Sequence, residues 1–514
     1  MNVGSILSRH ARYRPEHLAL VFEDNRLTYR EFDRRVNRLA NALAGQGIVK
    51  GDKIATLLSN SLELIEIYWA AAKLGAVVAP LSPLLRGQGL VTLLNDSDSV
   101  LVLSDSSCIE VLDAVRKELP ALRADRYILT DAPGTRVAGY HDYHELTAAA
   151  SDREPPAVAI AGDDPYNIMY SSGTTALPKG IVLTHDIRCL YGMVFASAYR
   201  GQPESVVLQT SSLAFNGSVV SMMMTFHLGA TYVLHRAFKN DTFLETVRNE
   251  GVTHTVLLPA QVITLLRARS FTAENFPSLE MVCTVGAPLH REHKEELARR
   301  LPGRLYELYG LTEGFGTILD RTDYPAKPTS VGSPPPLFEL RIVDEQGHDL
   351  PPGQVGEILG RSPLLMAGYY KLPDLTAETM VDGWLHTGDL GHVDDDGYLY
   401  LIDRKKDMMI TGGINVYPRD IEEVVVRHPA VREAAVFGIP SAVKGEVPLA
   451  AVSLHEAGSV SADALREWIN ARLDAEYQRV HKVEIHDALP RNIGGKVLKR
   501  VLREPHWQRK GTSI

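Results

Sequence analysis

A chain of 514 residues, 45% hydrophobic and 23% charged, has the ordinary balance of a globular protein and enough length for more than one packed domain. Its net charge of -9 and pI near 6.1 provide no basic face for nucleic acid or an anionic membrane, so neither is expected as a partner. Three lone cysteines, Cys108, Cys189 and Cys283, show no CxxC pair and no zinc spacing, which argues for buried, reduced thiols in a cytoplasmic protein.

The opening MNVGSILSRHARYRP carries arginines and no uninterrupted apolar core, so no signal peptide is expected. Thr28 and Glu31 have capping-box spacing, and Phe32, Val36, Leu39 and Leu43 recur at helical spacing up to Gly45 and Gly47. IATLLSN then reads as a buried strand, SLELIEIYWAAAKLG as a helix, and AVVAPLS and SVLVLSD as further strands. The most apolar run, Ile65 to Leu81, is broken by Lys73, Gly75 and Pro80, so no integral membrane association is expected. The alternation returns in TYVLHR, FLETVRNEG, THTVLLPAQ and SLEMVCTVGAP, which predicts an α/β body with mostly parallel sheets. From about Pro334, short strands and tight turns such as GYLYLIDR predict a barrel-like β subdomain. After Arg404 comes a small α+β pattern, with YPRDIEEVVVRHPAV and ADALREWINARLDAE as helices, EAAVFGIP and PLAAVSL as strands. The charged run DRKKD, Asp403 to Asp407, is the expected boundary between a large domain, 1–403, and a small mobile one, 404–514.

Between the predicted strands YNIMY and IVLTH lies YSSGTTALPKG, Tyr170 to Gly180. Small hydroxyl residues around Gly173 can wrap N–H and O–H donors round a polyphosphate, and Lys179 adds a positive charge. Ser171, Ser172, Gly173, Thr174, Thr175 and Lys179 are thus a candidate phosphate cradle, with a flexible serine-rich surface loop as the competing reading. The spacing GxxxxGK[ST] is absent, which removes support for a Walker-type fold.

Further motifs follow in order: YGLTEG (309–314), HTGDLG (386–391), DRKKDMMITGGINVYP (403–418) and PRNIGGKVLKR (490–500). Together with YSSGTTALPKG they resemble the adenylate-forming superfamily, above all its acyl-CoA synthetases, over nearly the whole chain. Two small departures are Ala176, where a glycine is more usual, and EYQRVHKVE, which lacks the proline common before the last strand.

The resemblance implies that Asp389 and Arg404 hold a ribose, as acidic residues do in dinucleotide sites. Tyr309 offers an aromatic face for adenine, Thr312 a hydroxyl for the α-phosphate and Glu313 a hard oxygen ligand for Mg²⁺. Gly286, Ala287, Pro288 and Gly310 complete the implied ATP contacts. Lys496, in a glycine-flanked loop, would bridge the substrate carboxylate and the α-phosphate, while Lys499 and Arg500 read as solvated surface charges. Gly412 and Gly413 would line a CoA channel, and Lys406 would be the hinge about which the small domain rotates. The catalytic set implied is Lys496, Thr312, Glu313 and Lys179, acting with ATP, Mg²⁺ and CoA on a carboxylic acid. No Ser-His-Asp or Cys-His set is evident, and none is needed for attack of a carboxylate on ATP.

The acyl pocket is expected from QTSSLAFNGSV, the LLPAQ segment, VGAP and YGLTEG, with Leu213, Phe215, Asn216, Leu258, Gly286, Leu311 and Gly314 as lining. Phe215 stands where many acyl-CoA synthetases carry a histidine, and Asn216 where amino-acid adenylation domains carry an aspartate. A neutral amide cannot balance a desolvated ammonium, so an α-amino acid is disfavoured and an aliphatic or aromatic acid is expected, with room for a hydroxyl bonded to Asn216. Met222, Met223 and Met224 read as core packing. Free-standing adenylation for a carrier protein, a non-enzymatic nucleotide-binding protein and a luciferase-like oxygenase are the alternatives, and a homodimer is compatible with the sequence.

Overall fold

The computed structural model describes residues 1–171, 178–287, 289–441, 443–473, 475–491 and 497–508. The described chain divides into two compact units: the first comprises 1–328, 332–339 and 361–385, the second 329–331, 340–360 and 386 onward.

The first unit is built on two eight-stranded sheets. In one, four neighbouring parallel strands run in the order Leu305–Gly310, Met281–Val285, His254–Leu257 and Val206–Gln209. Antiparallel strands close both ends of that sheet, Gly316–Leu319 at one and Asn25–Thr28 at the other. In the other, Lys53–Leu57, Val77–Leu81 and Ser99–Ser104 are parallel, and Pro165–Ser171 forms an antiparallel hairpin with Lys179–Thr184.

The helix Leu62–Leu74 has no solvent face, because its Ile, Leu, Tyr, Trp and Ala residues are buried on every side. Ser61 caps its start by accepting the Leu64 N–H, and Gly75, at φ +66°, ends it in the left-handed region. The helix Asn216–Leu228 is buried in the same cluster, and Met222, Met223 and Met224 are 0% exposed, as their core reading requires. The capping box at Thr28 and Glu31 is formed in full at the start of Tyr29–Gly45. THTVLLPAQ divides differently from its expected single strand: the strand stops at Leu257 and Pro259 starts a helix, where a missing N–H costs nothing. All three cysteines are free and buried, and burial pushes the Cys283 thiol up to about 12.

In the second unit the β subdomain is a sheet of Glu339–Val343, Gly356–Arg361 and Trp384–Val393, with Leu399–Arg404 paired to the last. A second sheet carries Val431–Ser441, Gly445–Leu454 and the hairpin Met409–Thr411 with Ile414–Val416, while Lys482–Ile485 runs parallel to Gly445–Leu454. The expected boundary at 403–407 therefore lies within this contact-dense unit. There Asp403 accepts the Arg419 N–H at 2.9 Å, and Arg419 donates to the Leu401 carbonyl at 3.1 Å. Lys499 corrects the sequence reading of a solvated charge: its ammonium is 2.8 Å from Glu422, and each side chain is 19% exposed. Burial alone would lower that ammonium, but the carboxylates of Glu422, Asp403 and Asp407 outweigh it and hold it above its ordinary value. Among the described residues no helix is long and apolar enough to cross a membrane.

Candidate active site

Four loops leave the carboxyl ends of the four adjacent parallel strands, the position at which open α/β sheets bind ligands. They carry Leu213–Asn216, Leu258, Gly286 and Leu311–Gly314. Gly286 has φ +93°, and a Cβ placed on it would lie 3.3 Å from both the Leu258 Cδ2 and the Phe215 Cζ. Three expected pocket residues, far apart in sequence, thus share one wall. Leu213 is held from two sides: Asn60 accepts its N–H at 2.9 Å and Tyr68 donates to its carbonyl at 2.8 Å. Gln261 accepts the Leu258 N–H at 2.9 Å and the Ser211 hydroxyl at 3.2 Å, tying two of the loops together.

Asn216 opens the Asn216–Leu228 helix and donates from Nδ2 to the Tyr191 hydroxyl at 3.2 Å. Its Oδ1 is buried without a partner among the described residues. Tyr191 in turn lies under the Arg188 guanidinium, 4.7 Å from the ring centroid.

The turn after Leu305–Gly310 is tight: the Leu311 N–H bonds the Phe315 carbonyl at 2.9 Å and the Gly314 N–H bonds Leu311 at 3.1 Å. Gly314, at φ +106°, leaves no space for a side chain, since a Cβ would come 1.9 Å from the Leu364 carbonyl oxygen. Thr312 and Glu313 are half-buried in the turn, and Tyr309 and Gly310 end the strand. Glu313 accepts the Tyr369 hydroxyl at 2.8 Å, and its own carbonyl receives the Met366 N–H at 2.8 Å. Lys179 lies in register with Ser171 at the mouth of the 165–184 hairpin, and its ammonium is 4.9 Å from the Tyr369 ring centroid. Tyr369, which sequence reasoning missed, therefore joins Lys179 to Glu313, and burial together with that carboxylate raises its phenol well above the usual range. Only the AGYY aromatics marked it; strand pairing of Gly368–Tyr369 with Lys179–Thr184 makes the contact. Ser172, Gly173, Thr174, Thr175, Pro288 and Lys496 lie outside the described residues, while Ala287 directly follows Gly286.

In the second unit Asp389 and Arg404 are opposite one another in an antiparallel ladder, with Nε 3.5 Å from Oδ1. Gly388, at φ +68°, turns the chain so that the Asp389 N–H reaches the Thr387 hydroxyl at 3.1 Å. Lys406 follows on the same segment, its ammonium pushed down to about 8 by surrounding protein and by Arg404. Gly412 and Gly413 form a two-residue hairpin loop between the paired Thr411 and Ile414, at φ +61° and +84°. Two successive positive φ values are what a type I′ turn needs, and this explains GG at that point.

Glu313, with the Lys179 ammonium and the Tyr369 phenol beside it, and an apolar wall at the ends of the parallel strands make the candidate site. The chain belongs to the AMP-binding enzyme family, whose features match over residues 7–370, with the AMP-binding enzyme C-terminal domain over 420–496. It is 33% identical over 512 residues to the fatty acid–[acyl-carrier-protein] ligase ScoC of Streptomyces coeruleorubidus, spanning 97% of this chain and 95% of that one. It is also 33% identical to the long-chain-fatty-acid–CoA ligase FadD13 of Mycobacterium tuberculosis, over 98% of both. The ATP-bound MatB of Rhodopseudomonas palustris has the same fold, with a TM-score of 0.87 at 28% identity, covering 98% of this chain and 99% of that one.

Proposed function

We propose that this protein is an ATP-dependent acyl-CoA ligase that activates a neutral-bodied carboxylic acid, aliphatic or aromatic, and passes the acyl group to CoA. The observation that carries the reading is the convergence of the four loops at one sheet edge, with Gly286, Phe215 and Leu258 making an apolar wall. Asn216 is neutral, which disfavours an α-amino acid; its unpartnered Oδ1 suits a substrate hydroxyl.

In the first half-reaction a substrate carboxylate oxygen attacks the α-phosphorus of ATP, the bond to the β-phosphate bridging oxygen breaks, and pyrophosphate leaves. Both partners are anionic, so the chain must supply positioning and positive charge where negative charge builds. Lys179 is a fixed cation at the hairpin mouth, and Lys496 is assigned the carboxylate and α-phosphate by resemblance. Mg²⁺ bound to Glu313 and the phosphates would neutralise charge on the nucleotide, and the oxygen donors there fit such an ion. Tyr369 holds one Glu313 oxygen and so orients that carboxylate. Tyr309 would face adenine, Thr312 the α-phosphate, and Asp389 with Arg404 the ribose.

In the second half-reaction the CoA thiolate attacks the acyl carbonyl and AMP leaves. Rotation of 404–514 about the 403–407 segment, with Lys406 as hinge, would exchange Lys496 for the Gly412–Gly413 hairpin between the two steps. A carrier-protein acceptor is the second reading, favoured by the likeness to ScoC. Thioester formation with CoA compared against a phosphopantetheinyl carrier separates the two: transfer to the carrier with none to CoA overturns the CoA assignment.

A further inference from the structure

Lys496, assigned to the substrate carboxylate and the α-phosphate, lies outside the described residues, but the described chain on either side of it is anchored. Arg491 and Val497 pair across an antiparallel bridge, and the Leu498 N–H bonds the Pro490 carbonyl at 2.7 Å. Val497 also packs against the buried cluster that contains Phe437, Leu449 and Leu502. Backbone pairing and apolar contact thus hold the foot of the segment that carries Lys496.

The helix Lys499–Gln508 begins just past that foot with a lysine, although a helix N-terminus disfavours a cation. The helix itself does not call for Lys499; the carboxylates around it do. Its ammonium is 2.8 Å from Glu422, and Asp403 and Asp407 add attraction. Glu422 lies in the helix Pro418–Val425 and accepts the Val436 N–H at 2.7 Å, so a core strand holds it in place. Asp403 is held in the same way by the N–H groups of Arg404 at 2.7 Å and Arg419 at 2.9 Å. A buried ion pair adds little net stability, because desolvation offsets the attraction; what this one supplies is a fixed relative position.

We propose that Lys499 is a positioning residue for Lys496: by fastening the first turn of its helix to Glu422, it fixes the end of the segment that carries Lys496 three residues upstream. The inference rests on the ligase reading and deepens it. Lys499 touches no reactant, and it serves only the half-reaction that uses Lys496. The Gly412–Gly413 hairpin, assigned to the other half-reaction, has separate anchors: Thr411 pairs with Gly445, and the Gly412 N–H bonds the Lys444 carbonyl at 2.8 Å. Loss of Lys499 should leave that hairpin in place.

The test compares the wild-type protein with Lys499→Met, Lys499→Arg and Glu422→Gln. Methionine removes the charge and keeps much of the stem, arginine keeps the charge, and glutamine keeps an acceptor for the Val436 N–H. Pyrophosphate release with ATP, Mg²⁺ and an accepted acid should slow by about 10–100-fold in Lys499→Met and Glu422→Gln, the cost of misplacing a reacting group by about 1 Å. The KM values for ATP and acid should change less than about 3-fold, and thioester formation from supplied acyl-adenylate and CoA should stay within about 2-fold of wild type. Lys499→Arg should recover most of the first half-reaction. Thermal unfolding runs in parallel, and if Lys499→Met does not fold, Glu422→Gln carries the comparison. Equal loss of both half-reactions, tracking a lowered Tm, would show a brace of the fold alone and overturn the proposal. Unchanged pyrophosphate release in folded Lys499→Met and Glu422→Gln would overturn it too, while leaving the ligase reading intact. No release from the wild-type protein with any acid would sink the ligase reading itself, before any variant is compared.

Discussion

Gly286→Ala probes the acid pocket with the smallest possible change. The new Cβ would sit 3.3 Å from the Leu258 Cδ2 and the Phe215 Cζ, a few tenths of an ångström too close. Both neighbours are ends of flexible side chains, so they can yield, and the fold should survive. The backbone penalty for a non-glycine residue at φ +93° is about 1–3 kcal/mol. For the acid, loss of one methyl-sized volume from an apolar pocket should discriminate by about 1–3 kcal/mol, or roughly 10–200-fold in kcat/KM against the bulkiest accepted acid. Smaller acids should be spared. The assay is pyrophosphate release across a series of graded acids, with thermal unfolding run in parallel to separate stability from selectivity. A uniform loss for all acids would show that the substitution disturbs the fold or the nucleotide site. An unchanged size preference in a folded variant would refute the placing of Gly286 on the acid pocket.

Lys496→Ala should slow acyl-adenylate formation by at least ~100-fold yet spare thioester formation from supplied acyl-adenylate, and a bulky residue at Gly413 should do the reverse. Equal loss of both half-reactions in both variants, read by pyrophosphate and thioester assays, would contradict a two-conformation cycle. Asp389→Asn should raise the KM for ATP by roughly 10-fold, through weakened charge-assisted bonds to the ribose, with little change in the KM for the acid; equal changes in both would remove that role. His185 is 0% exposed, and burial lowers its imidazole from 6.5 to about 4. The unfolded chain therefore binds the extra proton first, so stability present above pH 6.5 falls as pH drops towards 4, by about 3 kcal/mol at most. Denaturant unfolding of His185→Gln across that range should show a shallower loss than the wild-type protein; identical slopes would mean that other buried histidines set the acid limit.

The alternation of strands and helices was legible because buried parallel strands and their capping residues leave local marks, as at Ser61 and Gly75 around Leu62–Leu74. Gly412 and Gly413 stood out in the sequence only as a CoA-channel segment implied by the resemblance; that they form a hairpin turn with two positive φ values in a row is what the fold adds. What the sequence hid was non-local. Lys499 sits in a run, KVLKR, that looks solvated, and only the fold brings Glu422 to 2.8 Å from it. Tyr369 is joined to Glu313 and Lys179 through strand pairing that no spacing announces. The pairing of Asp389 with Arg404, which ties the start of the 403–407 segment to the β subdomain, is likewise a contact that the charge pattern does not announce.

The central claim is tested most directly by measuring pyrophosphate release with ATP and Mg²⁺ across a panel of aliphatic and aromatic acids, with and without CoA. The account predicts release with a subset of acids that lack an α-amino group, and AMP with acyl-CoA only when CoA is added. Release confined to α-amino acids, or no release with any acid, would contradict it.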